Sequence, residues 1–221
     1  MTKITEEGLY RKSNIHRLGE LKDYAPEAFS SFMDFNNKAL AEGKLSVKIK
    51  ELIAVAVAHV TGCPYCIEIH VNDVKKAGAN KEEVAEAIFV ATALKAGSAF
   101  AHGVNALNAF DGEGDEELYK ASYFNRIKEF ARLSGENFSA FIDFDQQALK
   151  AGELTVKEKE IIAVAVAHVT GCPYCIDIHV NGAKKAGATL EEVTEAIFVA
   201  VALKAGSAFA HGVNALQAYM K

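Results

Sequence analysis

The sequence has few residues that break regular structure and no block of like charge. Only 3 of its 221 residues are proline and 16 are glycine, whereas half are apolar. This composition excludes a wholly disordered, collagen-like or low-complexity chain and is typical of a globular protein. The net charge of −5 is spread along the chain without a basic block, so nucleic acid is not expected as a partner.

Two kinds of apolar segment are also missing. The first ten residues, MTKITEEGLY, lack the apolar centre of a secretory signal. The most apolar stretch, residues 84–110, is interrupted by Glu86, Lys95 and His102, so it predicts a buried helix rather than a membrane span. We therefore expect a cytoplasmic protein with no membrane partner. In that compartment cysteines stay reduced unless they take part in redox chemistry or bind a metal.

The chain consists of one sequence unit written twice. Residues 28–110 align without a gap on residues 137–219, at an offset of 109, with 62 identities in 83 positions. Such self-similarity predicts two tandem copies of one fold. We place the copies at residues 1–113 and 114–221, joined by the short, polar, glycine-containing segment 111–115.

Each copy is predicted to be helical throughout, so the expected fold class is all-α. Asn80, Thr155 and Thr189 are each followed three residues later by a glutamate, which is the capping-box pattern of a helix start. A helix end is predicted near residue 95, with a new helix beginning at Gly97–Ser98. No alternating apolar run bounded by turn dipeptides is present, so we expect no sheet.

Each copy contains the same set of chemically active side chains. All four cysteines lie in two Cys-Pro-Tyr-Cys pairs, each preceded by a glutamate and followed by a histidine at a fixed spacing. Positions i, i+3 and i+7 share one helix face, so the two cysteines and the histidine form one stripe. The candidate catalytic residues are Glu51, Cys63, Cys66 and His70 in the first copy, and Glu160, Cys172, Cys175 and His179 in the second.

The first cysteine of each pair is predicted to start a helix. Cys63 takes the N-cap position, with Pro64 and Cys66 at the first and third helical positions. Free backbone N–H groups and the helix dipole stabilise a thiolate there, and the thiolate is the nucleophile of peroxide and disulfide chemistry. The second thiol of the pair can then form a disulfide before over-oxidation. Glu51 reaches this site only if the chain reverses at Thr61–Gly62, because one straight helix would separate it from Cys63 by about 18 Å.

These motifs resemble those of a known superfamily. The apolar helix led by Glu51, the segment AVAHVTGCPYCIEIH and the alanine-rich helices after it are similar to carboxymuconolactone decarboxylase/alkylhydroperoxidase D proteins, in their thiol-bearing, AhpD-like branch. The resemblance covers nearly the whole of each copy. It implies an all-helical fold duplicated as a fused pseudo-dimer, and assembly with threefold symmetry, here as a homotrimer. It also implies peroxide reduction or thiol–disulfide exchange, with electrons from a dithiol reductant protein or a small thiol carrier.

The resemblance further implies a role for each cysteine. The second of each pair, Cys66 or Cys175, is the peroxidatic thiol that becomes a sulfenic acid. The first, Cys63 or Cys172, closes the disulfide or donates a proton.

The glutamate and the histidine of each copy would form a proton relay. One position departs from that pattern, because the alkylhydroperoxidase has a relay histidine between its cysteines whereas this chain has Tyr65 and Tyr174. A phenol titrates near 10 and is a poor base at neutral pH. The lactone decarboxylase branch lacks the cysteine pair, so the resemblance does not imply lactone decarboxylation.

Two other functions stay open at this point. The tyrosines are compatible with a protein or small-molecule disulfide reductase, or an electron-transfer module, with little peroxidase activity. A non-catalytic, zinc-stabilised assembly protein is the other, since the donor types of a zinc site are present in Cys63, Cys66, His70 and His59. These donors would crowd onto one helix and the turn before it, so we expect redox chemistry with no metal and no organic cofactor.

The remaining prominent side chains are interpreted as structural. His59 is expected to be a satisfied core histidine, and His102 and His211 to be packing or interface residues. Six phenylalanines that recur every three residues are predicted to be core: Phe29, Phe32, Phe35, Phe138, Phe141 and Phe144.

Overall fold

The computed structural model describes residues 8–112 and 116–220, and within these ranges the chain is helical and has no strand. The predicted all-α class is confirmed. In the first copy a 3-10 helix, Lys12–Glu20, precedes α1 (Leu21–Tyr24), α2 (Pro26–Leu40), α3 (Val47–Thr61), α4 (Pro64–Lys76) and α5 (Lys81–Asp111). In the second a 3-10 helix, Ala121–Lys128, precedes α6 (Glu129–Leu133), α7 (Gly135–Leu149), α8 (Val156–Thr170), α9 (Pro173–Lys185), α10 (Leu190–Ala210) and α11 (Gly212–Tyr219).

The predicted helix starts are confirmed by their capping contacts. Asn80, Thr155 and Thr189 each form a complete capping box with the glutamate three residues later. In α3 the hydroxyl of Ser46 accepts a hydrogen bond from the backbone N–H of Ile49 at 3.3 Å. These side chains satisfy N–H groups that have no partner within their own helix.

The predicted helix break at Gly97–Ser98 is wrong. Helix α5 runs unbroken through this pair, and α10 runs unbroken through the equivalent pair of the second copy. Gly97 packs against the ring of Phe141, since a Cβ placed on it would lie 3.6 Å from that ring. Ser98 is buried. The two small residues therefore serve close packing inside one long helix, which a sequence pattern alone does not distinguish from a helix end.

The core is built on the central apolar helices α3 and α8. Every side chain from 49 to 58 is buried, and so is every side chain from 161 to 167. Helices α3 and α8 pack on each other, and each also packs on both α5 and α10. Because α5 belongs to the first copy and α10 to the second, the two copies share one hydrophobic core.

Two equivalent ion pairs join the copies. Lys50 Nζ lies 3.0 Å from Glu195 Oε2, and Lys159 Nζ lies 3.1 Å from Glu86 Oε2. Both lysine side chains are buried. Each glutamate also accepts two backbone N–H groups from the opposite copy, those of Lys44 and Leu45 or of Glu153 and Leu154. Loss of either glutamate would leave a buried, unpaired charge, so these contacts fix the placement of one copy on the other.

The six phenylalanines predicted to be core are instead half-buried. Rings of α2 in the first copy contact Phe198 and Phe209 of α10, and Phe138 and Phe141 of α7 contact Phe100 of α5. Five of the six therefore contact rings of the other copy, and Phe35 and Phe144 also pack against the shared core.

Two helical segments, 81–111 and 190–219, are long and apolar enough to cross a membrane by length and composition. In their most apolar windows 39% and 44% of the residues are buried inside the molecule. Core helices of soluble proteins pass the same test, so these segments do not decide between the two environments.

The predicted boundary after residue 113 lies within 113–115, which is outside the described residues. Before it, α5 ends at Asp111 and Gly112 takes a left-handed conformation with φ of 66°. After it, the described chain resumes at residue 116.

Candidate active site

The chain reverses between α3 and α4 at Gly62. This glycine has φ of 70° and caps α3 through its N–H, which donates to the carbonyl of Ala58 at 3.0 Å. The left-handed conformation costs glycine nothing but strains residues with a Cβ. Gly171 takes the same conformation in the second copy, with φ of 72°. The reversal required for Glu51 to reach the cysteine helix is therefore confirmed.

The glutamate and the histidine of each copy are hydrogen-bonded. Glu51 Oε2 lies 2.8 Å from His70 Nδ1, and Glu160 Oε2 lies 2.9 Å from His179 Nδ1. An ionised carboxylate only accepts hydrogen bonds, so Nδ1 carries a proton and donates it. The other ring nitrogen, Nε2, is then the one that can exchange a proton. Glu51 and His70 are both buried, which places this pair inside the molecule rather than on its surface.

Both cysteine pairs have the predicted N-cap geometry. Cys63 Sγ accepts a hydrogen bond from the backbone N–H of Cys66 at 3.2 Å, and Cys172 accepts one from Cys175 at the same distance. The first pair is joined as a disulfide, whereas the second is a free dithiol. The φ and ψ angles of the capping cysteines are −90° and 105° in the oxidised pair, and −89° and 108° in the reduced pair. The capping cysteine therefore has nearly the same backbone geometry in both copies.

The reduced pair carries its negative charge on the capping cysteine. The pKa of the Cys172 thiol is lowered to about 6, chiefly by a hydrogen bond from the Cys175 thiol and against the opposing effect of burial. The Cys175 backbone N–H, the charge of His102 and the Ser98 hydroxyl lower this pKa further. The same thiol–thiol hydrogen bond, burial and the charges of Cys172 and Asp145 raise the pKa of Cys175.

A cavity of about 500 Å³ adjoins the first cysteine pair. Cys66, Glu51 and His70 line it together, whereas Cys63 is fully buried. Its remaining wall is largely apolar and comes from both copies, including Phe29, Phe32, Met33, Leu40, Leu203 and Phe209. A small molecule in this cavity would meet the second cysteine of the pair and the Glu–His pair at once.

A third acidic side chain lies beside the Glu–His pair of the first copy. Ligand atoms of Asp73, Glu51 and His70 all lie within 4.8 Å of one another, and Asp73 also lines the cavity. Carboxylates and imidazole are common ligands of divalent metals. Within 8–112 and 116–220 this is the one set of three or more such groups close enough to share an ion. The cysteines are not part of it, so the alternative zinc donor set considered for the sequence is not brought together among the described residues.

The second copy takes its third acid from a different helix. Gly182 stands where Asp73 would be expected, and Asp145 of α7 stands where the first copy has Asn36. Asp145 interacts electrostatically with the Glu–His pair of its copy, and burial raises its pKa. Comparison of the two copies in register reveals this exchange.

Ser98 and His102 of α5 also reach a cysteine pair, and it is the pair of the opposite copy. His102 and His211 were predicted to be packing or interface residues, and both are half-buried at the contact between the copies. Ser98 was not among the predicted site residues, because Gly97–Ser98 was predicted to break the helix. The i, i+4 spacing of Ser98 and His102 was the signal that places both on one helix face.

His59 is hydrogen-bonded as predicted, but it is half-buried rather than in the core. Its Nδ1 lies 2.8 Å from the carbonyl of Val55 in the preceding turn, and His168 makes the same contact with Val164. This ring nitrogen donates to the backbone of its own helix.

Comparison with known proteins identifies the family. Residues 26–109 and 135–218 each match the carboxymuconolactone decarboxylase family. Over 94 residues the chain is 44% identical to "uncharacterized protein 4 in cox locus" of Paracoccus denitrificans, covering 42% of this chain and 85% of that protein. Over 102 residues it is 32% identical to an uncharacterized protein of Cupriavidus necator, covering 46% and 90%.

A solved structure from Burkholderia xenovorans LB400, assigned as a gamma-carboxymuconolactone decarboxylase subunit, has the same fold. It superimposes with a TM-score of 0.70 over 95% of both chains, at 20% sequence identity. That likeness concerns the fold alone, whereas the two sequence matches cover most of each copy. The chain therefore belongs to the carboxymuconolactone decarboxylase family and contains two tandem copies of its domain, each with a Cys-Pro-Tyr-Cys pair.

Proposed function

We propose that the protein is a thiol-dependent oxidoreductase that reduces hydroperoxides through its two cysteine pairs. The observation that carries this proposal is the shared wall of the 500 Å³ cavity, where Cys66 lies with Glu51 and His70. A thiol, a hydrogen-bonded carboxylate–imidazole pair and a space for substrate are the components that peroxide reduction requires.

In the first step the sulfur of Cys66 or Cys175 attacks the outer oxygen of the hydroperoxide. The S–O bond forms and the O–O bond breaks, giving a sulfenic acid and an alkoxide. The attacking thiol loses its proton to the neighbouring cysteine thiolate or to the Glu–His pair. The alkoxide takes up a proton from His70 or His179 and leaves as the alcohol.

In the second step Cys63 or Cys172 attacks the sulfenic sulfur. The S–S bond forms and hydroxide leaves, accepting a proton to become water. The sum is one hydroperoxide and two thiols converted into one alcohol, one water and one disulfide. A dithiol reductant protein or a small thiol carrier then exchanges with the disulfide and restores the thiols. No organic cofactor is needed, because the cysteines carry the electrons.

Two observations support different tasks for the two cysteines. The capping cysteine, Cys172, has the lowered pKa, whereas its counterpart Cys63 is fully buried and Cys66 lines the cavity. We assign attack on the substrate to Cys66 and Cys175. The capping thiolate receives the proton and then closes the disulfide.

Paired cysteine substitutions test this assignment. With reduced protein and an alkyl hydroperoxide, C63S/C172S should release one alcohol per site and accumulate a trappable sulfenic acid. C66S/C175S should do neither. A sulfenic acid on the capping cysteine of C66S/C175S would reverse the assignment. Absence of peroxide reaction in wild type, together with rapid oxidation by a disulfide, would contradict the proposal.

A disulfide reductase with little peroxidase activity is the second candidate. Tyr65 favours it, because this side chain between the cysteines is buried against the ring of Tyr10, with 5.5 Å between ring centroids, and is a poor base. The third alternative, a zinc-stabilised assembly protein, has less support, because its cysteine and histidine donors are not brought together among the described residues. It predicts stoichiometric zinc and loss of helical structure on chelation.

We propose a cytoplasmic homotrimer in which three chains supply six family domains. Its mass in solution would be three times that of the 23.8 kDa chain, which sedimentation equilibrium measures directly.

A further inference from the structure

One face of α5 lies against the cysteine pair of the second copy. Ser98, Ala101 and His102 occupy positions i, i+3 and i+4 and so share that face. Ala101 packs in one buried cluster with Cys172, Tyr174 and Cys175. Ser98 is 5% exposed, and its hydroxyl is one of the groups that lower the pKa of the Cys172 thiol.

His102 is held beside the same cysteine pair by two tyrosines. Its Nδ1 lies 3.2 Å from the hydroxyl of Tyr119, and the Tyr119 ring packs on Tyr174 with 5.7 Å between centroids. Tyr174 is the residue between the two cysteines. As a cation, His102 stabilises negative charge on Cys172.

The equivalent face of α10 lies against the first cysteine pair. Ala210 packs in one buried cluster with Cys63, Tyr65 and Cys66. His211 Nδ1 lies 3.4 Å from the hydroxyl of Tyr10, whose ring packs on Tyr65. Ser207 is 6% exposed and occupies the position equivalent to Ser98. The arrangement is therefore reciprocal.

We propose that each cysteine pair is completed by the opposite copy, which supplies a serine and a histidine that stabilise the thiolate of the capping cysteine. Ser98 and His102 serve Cys172, and Ser207 and His211 serve Cys63. Each histidine bonds a tyrosine of the other copy, and that tyrosine packs on the tyrosine between the two cysteines. This inference deepens the proposed function and rests on it for its meaning in catalysis, but thiolate stabilisation can be measured without any substrate.

Other titratable groups also face the second pair. Cys175, Tyr174 and His179 lie on α9 itself, Glu160 lies on α8 and Asp145 on α7. The negative charge of Asp145 raises the pKa of Cys175, whereas His102 lowers the pKa of Cys172. The measurements on the second pair therefore use variants that leave all five groups in place.

A crossed set of variants in the full chain tests the inference. C63S/C66S leaves only the second pair, and C172S/C175S leaves only the first. Into each background we would introduce S98A/H102Q or S207A/H211Q, and follow the ultraviolet absorbance of the thiolate against pH under reducing conditions. S98A/H102Q should raise the apparent pKa of the second pair by about one unit, a tenfold loss of thiolate at low pH. It should leave the pKa of the first pair unchanged. S207A/H211Q should raise the pKa of the first pair and leave that of the second pair unchanged.

The crossed pattern separates this role from general damage. Equal shifts in both pairs, or a shift only within the mutated copy, would overturn the inference, and so would no shift at all. S98T retains the hydroxyl and should restore most of the effect, and H102Q alone serves if the double variant does not fold. A crossed shift in a protein that ignores hydroperoxide would support this inference and contradict the proposed function. Peroxide reduction without the crossed shift would support the proposed function and contradict this inference.

Discussion

At the scale of single residues, the helix N-cap gives the cysteine pair its chemistry. A capping side chain normally accepts a hydrogen bond through an oxygen, but here a sulfur does so at 3.2 Å in both copies. The N–H and the positive end of the helix favour the charged form of that sulfur. The proline after it costs no hydrogen bond, because the first helical N–H has no partner within the helix.

The titration of the second pair is the first residue-scale prediction. In C63S/C66S, under reducing conditions, thiolate absorbance should appear with an apparent pKa of about 6, because Cys172 is stabilised at the N-cap and by Cys175. C172S in the same background removes that thiolate, so the signal should move far above neutral pH. A first titration near the ordinary value of about 8.5 in C63S/C66S would contradict the assignment.

Asp145 gives a prediction about stability and pH. Burial raises its pKa in the folded protein, so the folded state binds this proton more tightly than the unfolded state. The stabilisation is complete below the unfolded pKa and is lost as pH rises through the raised folded pKa. We therefore expect D145N to gain stability relative to wild type as pH increases across this range, in urea unfolding monitored by helical circular dichroism. N36D would place the charge at the equivalent position of the first copy. A wild-type-to-D145N difference that does not vary with pH would contradict the prediction.

At the scale of the element, the long helix α5 serves three parts of the molecule. It packs on α3 of its own copy and on α7, α8 and α9 of the other, and it presents Ser98 and His102 to Cys172. Its small residues decide where neighbouring rings approach. A Cβ on Gly103 would lie 2.7 Å from the ring of Phe130, whereas one on Gly97 would lie 3.6 Å from Phe141.

These two glycines of one helix form a matched pair for mutation. We expect G97A to be neutral or stabilising by up to about 1 kcal/mol, because alanine loses less backbone entropy in a helix and fits at ordinary contact distance. We expect G103A to destabilise by about 1 to 3 kcal/mol, because the Phe130 ring must move from its packed position. Urea unfolding of both variants measures the difference. The same sign and size for both would show that helix propensity alone governs these positions.

Element-level features were predictable from the sequence where a local pattern determines them. The capping boxes at Asn80, Thr155 and Thr189, the cysteine N-cap and the chain reversal at Gly62 all follow from residue type and spacing. The continuity of α5 through Gly97–Ser98 could not be predicted in this way, because packing against the other copy overrides the local helix-breaking tendency of glycine. The hydrogen bond between Glu51 and His70 was expected in kind, but only the packing of α3 on α4 brings it to 2.8 Å. The contribution of Ser98 and His102 depends on how the copies pack, which no local pattern contains.

At the scale of the whole molecule, the two copies share a common hydrophobic core. The buried lysines 50 and 159 are each paired with a glutamate of the opposite copy, and each glutamate also binds backbone N–H groups there. The two sites also differ chemically, because Asp73 is replaced by Gly182 in the second copy and Asn36 by Asp145. The first has Asp73 beside its Glu–His pair, and the second has Asp145.

Substitution of the bridging glutamates tests the shared core. E195A and E86A should each destabilise the whole chain by about 2 to 4 kcal/mol, because a buried lysine loses its partner and two N–H groups lose their acceptor. K38A removes the exposed pair between Lys38 and Asp34 and should change stability by less than about 0.5 kcal/mol. Unfolding should stay a single transition in every variant. Two separate transitions would show that the copies fold independently.

The central claim is that each chain contains two cysteine pairs that pass electrons to a hydroperoxide. Its most direct test is single-turnover stoichiometry: fully reduced, metal-free wild-type protein is mixed rapidly with an alkyl hydroperoxide, and thiols and alcohol are counted. The account predicts the loss of all four thiols, the consumption of two hydroperoxides and the release of two alcohols per chain. Four thiols that persist in the presence of excess hydroperoxide would contradict it.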